Sequence, residues 1–258
     1  MRIARFVKDD SLAFGVIQGD PGSEVLAEVN GHPFSPQLEL TGSRQPLAEA
    51  RLVAPVLPSK IVAIGKNYAE HAAEMGSAVP EEPIVFLKPS TSIVGPGEPV
   101  TYPALSANVH HEAELAVVIS RVCREVPPER AMDVVFGYTC ANDVTARDLQ
   151  RREAQWARAK GFDGFCPIGP WIETELDPSD LAIGCTVGDE QRQAGRTSQM
   201  IRDIPALITY ITAAMTLLPG DVILTGTPAG VGPVQIGDRM SVTVEGIGTL
   251  TNTVVPRD

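Results

Sequence analysis

Four groups of residues in this 258-residue chain are of types that carry chemistry. Glu112 and Glu114 stand two apart at the head of an apolar run, HHEAELAVVI. On a strand, residues two apart face the same way, so both carboxylates are expected on one face and Ala113 and Leu115 on the other. Two ionised acids on a partly buried face repel, and each loses hydration worth several kcal/mol. A proton, an arginine or a cation has to compensate, and hard oxygen ligands suit Mg²⁺, Mn²⁺ or Ca²⁺. Asp143, in CANDVTARD, is expected at the end of a strand just before a helix, where it would complete a three-carboxylate site. The competing reading leaves both glutamates in water on an edge strand, since E-x-E alone is a weak motif. His110 shares their parity, which leaves a His/Glu zinc site as a further option.

The second group is GKNYAEHAAEMG, where His71 and Glu74 lie three apart on a short helix and share a face. A glutamate beside a histidine can orient the ring and raise its basicity, making a general base; exposed His/Glu pairs are also common and inert. The third is Lys160 in RAKGFDGFCP, placed to reach an oxyanion or a substrate carboxylate, or simply to sit at a helix C-terminus where the dipole favours it. The fourth is ILTGTPAGVG. There Thr225, Gly226 and Thr227 would cradle a carboxylate or carbonyl oxygen with backbone N–H groups, or form a plain turn. Its spacing matches neither a P-loop nor a dinucleotide fingerprint.

These groups need elements to hold them. Residues 2–29 read as short strands, and a polar stretch then runs to Leu57. APVLPSK, stiffened by Pro55 and Pro58, marks a boundary that divides the chain into residues 1–57 and 58–258. Beyond it, KIVAIG, PIVFLK, EAELAVVIS and VVFGYTCANDV read as strands, and residues 145–160 as one helix capped by Thr145. CPIGPWIE is extended, residues 180–195 form a hairpin with a Gly-Asp turn, and DIPALITYITAAMTLL is an amphipathic helix with Asp203 as its cap. Three strands close the chain. Strands without regular β-α alternation point to a mixed α+β, mainly β architecture rather than a doubly wound sheet.

Composition narrows the functions. A net charge of -11 argues against a nucleic-acid or anionic-membrane partner. The start MRIARFVKDDSLAFGV has no apolar core and no small-residue cleavage site, and no run approaches a membrane span, so a cytoplasmic protein is expected. Cys123, Cys140, Cys166 and Cys185 form no C-x-x-C pair and read as reduced, buried thiols.

In order along the chain, GKNYAEHAAEMG, FLKPST, HHEAELAVVI, NDVTARDLQ, AKGFDGFCPIGPW and ILTGTPAGVG resemble the fumarylacetoacetate hydrolase family over residues 60–232. Residues 1–57 resemble the small, β-rich N-terminal domain of many bacterial members. The resemblance implies a β-sandwich roll catalytic domain, usually a homodimer, with Mg²⁺ or Mn²⁺ on Glu112, Glu114 and Asp143, and Ca²⁺ as a stand-in in crystals. It makes His71 and Glu74 the catalytic dyad on a mobile lid, hinged near Gly65 and Gly76. It places Lys160, Gln150 and Thr225 against substrate or a developing oxyanion, with Arg147 and Asp148 in the same motif. It implies a small 2-oxo acid substrate, and chemistry through an enolate held at the metal. Hydrolytic or decarboxylating C–C cleavage, as in acylpyruvases and oxaloacetate decarboxylases, is the first expectation. A 2-hydroxyhepta-2,4-diene-1,7-dioate isomerase or 5-oxopent-3-ene-1,2,5-tricarboxylate decarboxylase of aromatic catabolism is the alternative. A non-catalytic metal- or ligand-binding protein on the same scaffold is the remote one.

Overall fold

The computed structural model describes residues 1–35 and 37–257. Alternating apolar residues at the start make β1 (Arg2–Lys8), β2 (Ser11–Gln18) and β3 (Val25–Asn30), within a residue or so of the sequence reading. β4 (Glu39–Pro46) lies in the stretch read only as polar. Its residues are nearly all exposed, so pairing with β3 makes it a strand where no apolar periodicity marks one. After β5 (Leu52–Val53) and the proline-stiffened link come β6 (Ile61–Gly65), α1 (Ala69–Glu74) and β7 (Ile84–Lys88). Gly76, at φ 66°, turns the chain out of α1.

Short β8 (Ile93–Val94) and β9 (Val100–Thr101) lead to β10 (Val109–His111) and β11 (Ala113–Ile119), with Glu112 in the one-residue break between them. β12 (Val135–Asn142) runs antiparallel to β11, and β13 (Thr145–Ala146) follows. The single helix expected over 145–160 is two, α2 (Arg147–Arg152) and α3 (Ala157–Lys160). Thr145 caps neither of them: it lies in a strand paired with His110, and its hydroxyl donates to the Asp143 carbonyl. The break between the helices lets Trp156 turn onto Gly65, where a Cβ would come within 2.5 Å of its ring. Trp156 also meets Phe86 edge-on at 5.4 Å.

β14 (Cys166–Glu173) matches the extended CPIGPWIE, and β15 (Ala182–Val187) with β16 (Glu190–Arg196) makes the hairpin about Gly188–Asp189. Asp203 caps α4 (Ile204–Ala214) by accepting from the Ala206 N–H at 2.9 Å. The chain closes with β17 (Val222–Leu224), β18 (Gly232–Pro233), β19 (Arg239–Val244) and β20 (Gly248–Val255).

Twelve strands form one sheet in the order β4-β3-β2-β1-β14-β12-β11-β17-β6-β7, with β5 on β1 and β8 on β14. The N-terminal strands join it through β1 against β14, Ile3 opposite Ile172. A five-stranded sheet, β16-β15-β19-β20-β9, packs across it, and β13-β10-β18 make a third. β11 shows why the interior holds. Leu115, Val117 and Ile119 join Ile183, Cys185, Val242 and Val244 between the sheets. Ala116 and Val118 pack on the opposite face with Ile61, Ala63, Val222 and Leu224. A strand buried on both faces reads as a continuous apolar run, which is what Ala113–Ile119 is. The protein is thus a mainly β, α+β sandwich roll with a β-rich N-terminal region. All four cysteines are buried and unpaired, as expected. Among the described residues no helix is long and apolar enough to cross a membrane.

Candidate active site

Glu112, Glu114 and Asp143 come together as the parity argument requires. One carboxylate oxygen from each lies within 4.8 Å of the others, and all three side chains are buried. Glu114 enters from β11; Glu112 precedes that strand with the same facing. Asp143 sits one residue beyond β12, which pairs with β11 so that Ala113 lies opposite Asn142. The edge-strand reading therefore fails, because β11 is flanked on both sides, by β12 and β17. His110 is not part of the cluster; its Nε2 pairs with Asn108 Oδ1 at 3.0 Å.

Three basic side chains share the charge of the acids. Lys160, read from sequence either as a substrate or oxyanion contact or as a helix-end charge, is buried and donates to Glu112 Oε2 (2.7 Å) and Asp143 Oδ2 (2.6 Å). Arg147 donates to Glu112 Oε1 and also to Gln150 Oε1. Lys88, the last residue of β7, donates to Asp143 Oδ1. Burial acts upward on the Glu112 carboxyl, but Lys160 and Arg147 hold it well below the usual carboxylate range. Burial alone would lower the Lys160 ammonium; Asp143 and Glu112 hold it above its ordinary value. Glu114 differs. Its one hydrogen bond among the described residues is from the Gly226 N–H, 2.6 Å. Burial first, then Asp143 and Glu112, push its carboxyl well above the ordinary value.

That imbalance tests the fit of a metal. Three hard carboxylate oxygens converge, and one of the acids has no cationic side chain on it. A divalent ion held by Glu112, Glu114 and Asp143 suits this donor set and relieves the penalty on Glu114.

His71 is buried at the wall of the same cavity, of about 150 Å³. Its Nδ1 lies 3.2 Å from Glu74 Oε2, and Glu74 Oε1 accepts from the Gly230 N–H at 3.0 Å. Glu74 thereby fixes the ring and leaves Nε2 as the available base. Arg147, Gln150, Lys160 and Thr227 line the cavity as well. The turn Thr225–Thr227 needs a correction. The Thr225 hydroxyl is fully buried and donates to the Leu115 carbonyl, and the Gly226 N–H is committed to Glu114. Only Thr227 reaches the cavity wall, and its hydroxyl also donates inward, to Ala113. This turn therefore holds β11 and its carboxylate rather than presenting an open cradle. Asp148 points away, accepting from Ser106 and Ala107.

Two residues with no assigned role emerge. Lys88 ends an apolar strand, the same signal that marked Asp143. Gln193 left no signal at all. Fully buried, it accepts from His111 and the Ala113 N–H and donates to Thr227 and the Pro228 carbonyl, tying the hairpin to the carboxylate strand.

The family model for the fumarylacetoacetate (FAA) hydrolase C-terminal region matches residues 60–255. The chain belongs to the fumarylacetoacetate hydrolase family. An N-terminal family model, Rv2993c-like, matches residues 1–55. Among solved members, a 5-carboxymethyl-2-hydroxymuconate delta-isomerase from Mycobacterium smegmatis is 53% identical, with each chain fully covered and a TM-score of 0.93. A maleylpyruvate hydrolase from Sphingobium sp. SYK-6, in complex with manganese(II) and pyruvate, is 35% identical, again with full coverage and a TM-score of 0.82. The Bos taurus mitochondrial oxaloacetate tautomerase FAHD1 is 47% identical over 72% of this chain and 87% of its own. Family members are thus enzymes of isomerase, hydrolase and tautomerase type.

Proposed function

We propose that this protein is a divalent-metal-dependent enzyme acting on small 2-oxo or β-diketo acids by way of their enols. The observation that carries the reading is the His71–Glu74 pair set over one cavity with the three-acid cluster. Mg²⁺ or Mn²⁺ on Glu112, Glu114 and Asp143 would supply Lewis acidity toward the carboxylate and 2-oxo group of the substrate; the manganese in the maleylpyruvate hydrolase supports this choice. The remaining work falls to the chain itself. His71 Nε2, held by Glu74, takes a proton from a water or from the carbon next to the carbonyl. Gln150, positioned by Arg147, and Lys160 offer donors to the charge that develops on oxygen. Arg147 Nε is buried without a partner among the described residues, a further donor for an anionic substrate.

If His71 activates water, attack on the distal carbonyl breaks the C–C bond and leaves a pyruvate enolate; loss of CO₂ from a β-carboxylate leaves the same fragment. This cleavage is the first reading, because a lid-borne pair suits water activation. Proton transfer alone, giving isomerisation or tautomerisation, is the second. The isomerase and the tautomerase among the relatives support it, as the maleylpyruvate hydrolase supports the first.

The test is a substrate panel with Mg²⁺ or Mn²⁺: acetylpyruvate, fumarylpyruvate, oxaloacetate and a homoprotocatechuate-pathway dienol. Release of acid plus pyruvate marks hydrolysis, and CO₂ marks decarboxylation. Loss of enol absorbance with neither marks tautomerisation. No turnover on any would leave the metal-binding, non-catalytic reading. The cytoplasmic homodimer expected from sequence belongs to the same proposal, with light scattering as the check on its assembly.

A further inference from the structure

The cavity carries more positive charge than its acids use. Lys160 and Arg147 line it but are committed to Glu112, Asp143 and Gln150. Two other lining cations, Lys66 and Arg151, have no hydrogen bond or ion pair among the described residues. They come from distant parts of the sequence: Lys66 follows β6, and Arg151 lies on α2.

Their placement is built. Lys66 sits at φ 58°, in the left-handed region that a long side chain rarely adopts. The neighbouring Asn67 over-determines that turn. Its side chain donates to the carbonyls of Thr225 (2.8 Å) and Arg202 (3.0 Å) and accepts from the Arg202 N–H (2.9 Å). Such strain persists only where the surroundings enforce it, and it collects at ligand sites. Trp156 lines the same cavity, seated on Gly65 so closely that no side chain fits there. Gly65 thus serves close packing, and its φ is not in the positive range. The Trp156 contact joins the turn carrying Lys66 to the helical segment carrying Arg151.

We infer that Lys66 and Arg151 bind the far carboxylate of the substrate, so that the site selects 2-oxo dicarboxylates over 2-oxo monocarboxylates. The inference rests on the 2-oxo acid reading above and names what that reading left open, the chemistry of the far end. A monoanionic substrate would leave both cations in water. A second carboxylate meets them past the apolar face of Trp156, and Arg151 offers it a two-pronged guanidinium. The cavity is small beside the roughly 300–1,000 Å³ of drug-sized pockets, so one substrate of few carbons spans it. In a protein of net charge -11, two unpaired cations on the cavity wall also draw in an anion that the rest of the surface repels.

Two stable, unreactive probes of equal chain length test this by calorimetry in Mn²⁺: 2-oxoglutarate, with a far carboxylate, and 2-oxopentanoate, with a methyl there. The native protein should bind 2-oxoglutarate about tenfold more tightly, the ratio one good charged contact gives. In Lys66→Asn/Arg151→Gln that preference should fall to within about twofold, with the 2-oxopentanoate affinity unchanged. Asn tolerates the left-handed turn. Arg151→Gln alone, at an exposed position, should lose about threefold and keeps the test decisive if the double variant folds poorly. Equal binding of the two probes by the native protein, or a matched loss of both in Arg151→Gln, overturns the inference and leaves the 2-oxo acid reading standing. Binding of neither probe by the native protein overturns both.

Discussion

Glu114 is the acid on which metal binding turns. Glu112 and Asp143 each have a lysine or arginine against them, whereas Glu114 has a backbone N–H. Glu114→Gln keeps the shape and that hydrogen-bond partner but removes a hard anionic ligand. Changes beyond the first ligands typically cost about 10–100-fold in metal affinity, so this substitution should cost more, read by Mn²⁺ calorimetry. Affinity equal to the native protein's would sink the three-carboxylate site. His71 makes the opposite separation. It touches the cavity without belonging to the acid cluster, so His71→Ala should lower turnover by about 10²–10⁴-fold and leave Mn²⁺ affinity within about twofold. A variant that still turns over at the native rate removes His71 from the chemistry.

Between elements, the contact of Gly65 with Trp156 couples β6 to the break between α2 and α3. A methyl at residue 65 would lie 2.5 Å from the Trp156 ring, so Gly65→Ala forces the ring off its seat. Overpacking of this kind costs about 1–3 kcal/mol, measurable as a lower urea midpoint at unchanged slope. Activity should fall with it, because α3 carries Lys160 to the carboxylates. Asp203→Ala is the contrasting case. Loss of the α4 cap should cost about 0.5–2 kcal/mol, while metal affinity stays native, since α4 packs against the sheets and supplies no side chain to the cavity. A loss of Mn²⁺ binding in this variant would show that α4 does more than pack.

Across the molecule, Asp221 pins the link between the N-terminal strands and the rest. It is buried, and it accepts from Ser59 and Lys60 and from the Leu218 N–H. Burial acts upward on its carboxyl, but Lys60, Ser59 and Leu218 together hold it below its ordinary 3.8. A folded-state value below the unfolded one contributes stability in full above the unfolded value and loses it as pH falls through the folded value. The stability gap between the native protein and Asp221→Asn should therefore be widest near neutrality and shrink as pH drops below 3.8. Urea unfolding over a pH series checks this, and a gap that grows on acidification would refute the assignment.

How far the residues alone reached follows from the range of the physics involved. The facing of Glu112 and Glu114 was legible because strand parity is local, and the strands Ser11–Gln18 and Cys166–Glu173 were legible for the same reason. The ordered motifs brought in Asp143, His71 and Glu74, which composition could not have joined. β4 escaped because an exposed strand is made by its partner, not by its own pattern. The helix over 145–160 was read too long because Trp156 leaves it to pack on Gly65, some ninety residues earlier in the chain. Repulsion between the two glutamates argued for a counter-charge, but sequence could not say that Lys88, Lys160 and Arg147 already supply part of it. Nor could it say that the hydroxyl of Thr225 faces the core. Periodicity states which face of an element is buried; which charges then meet depends on how strands far apart in sequence pair, and that is settled only when the sheet is assembled.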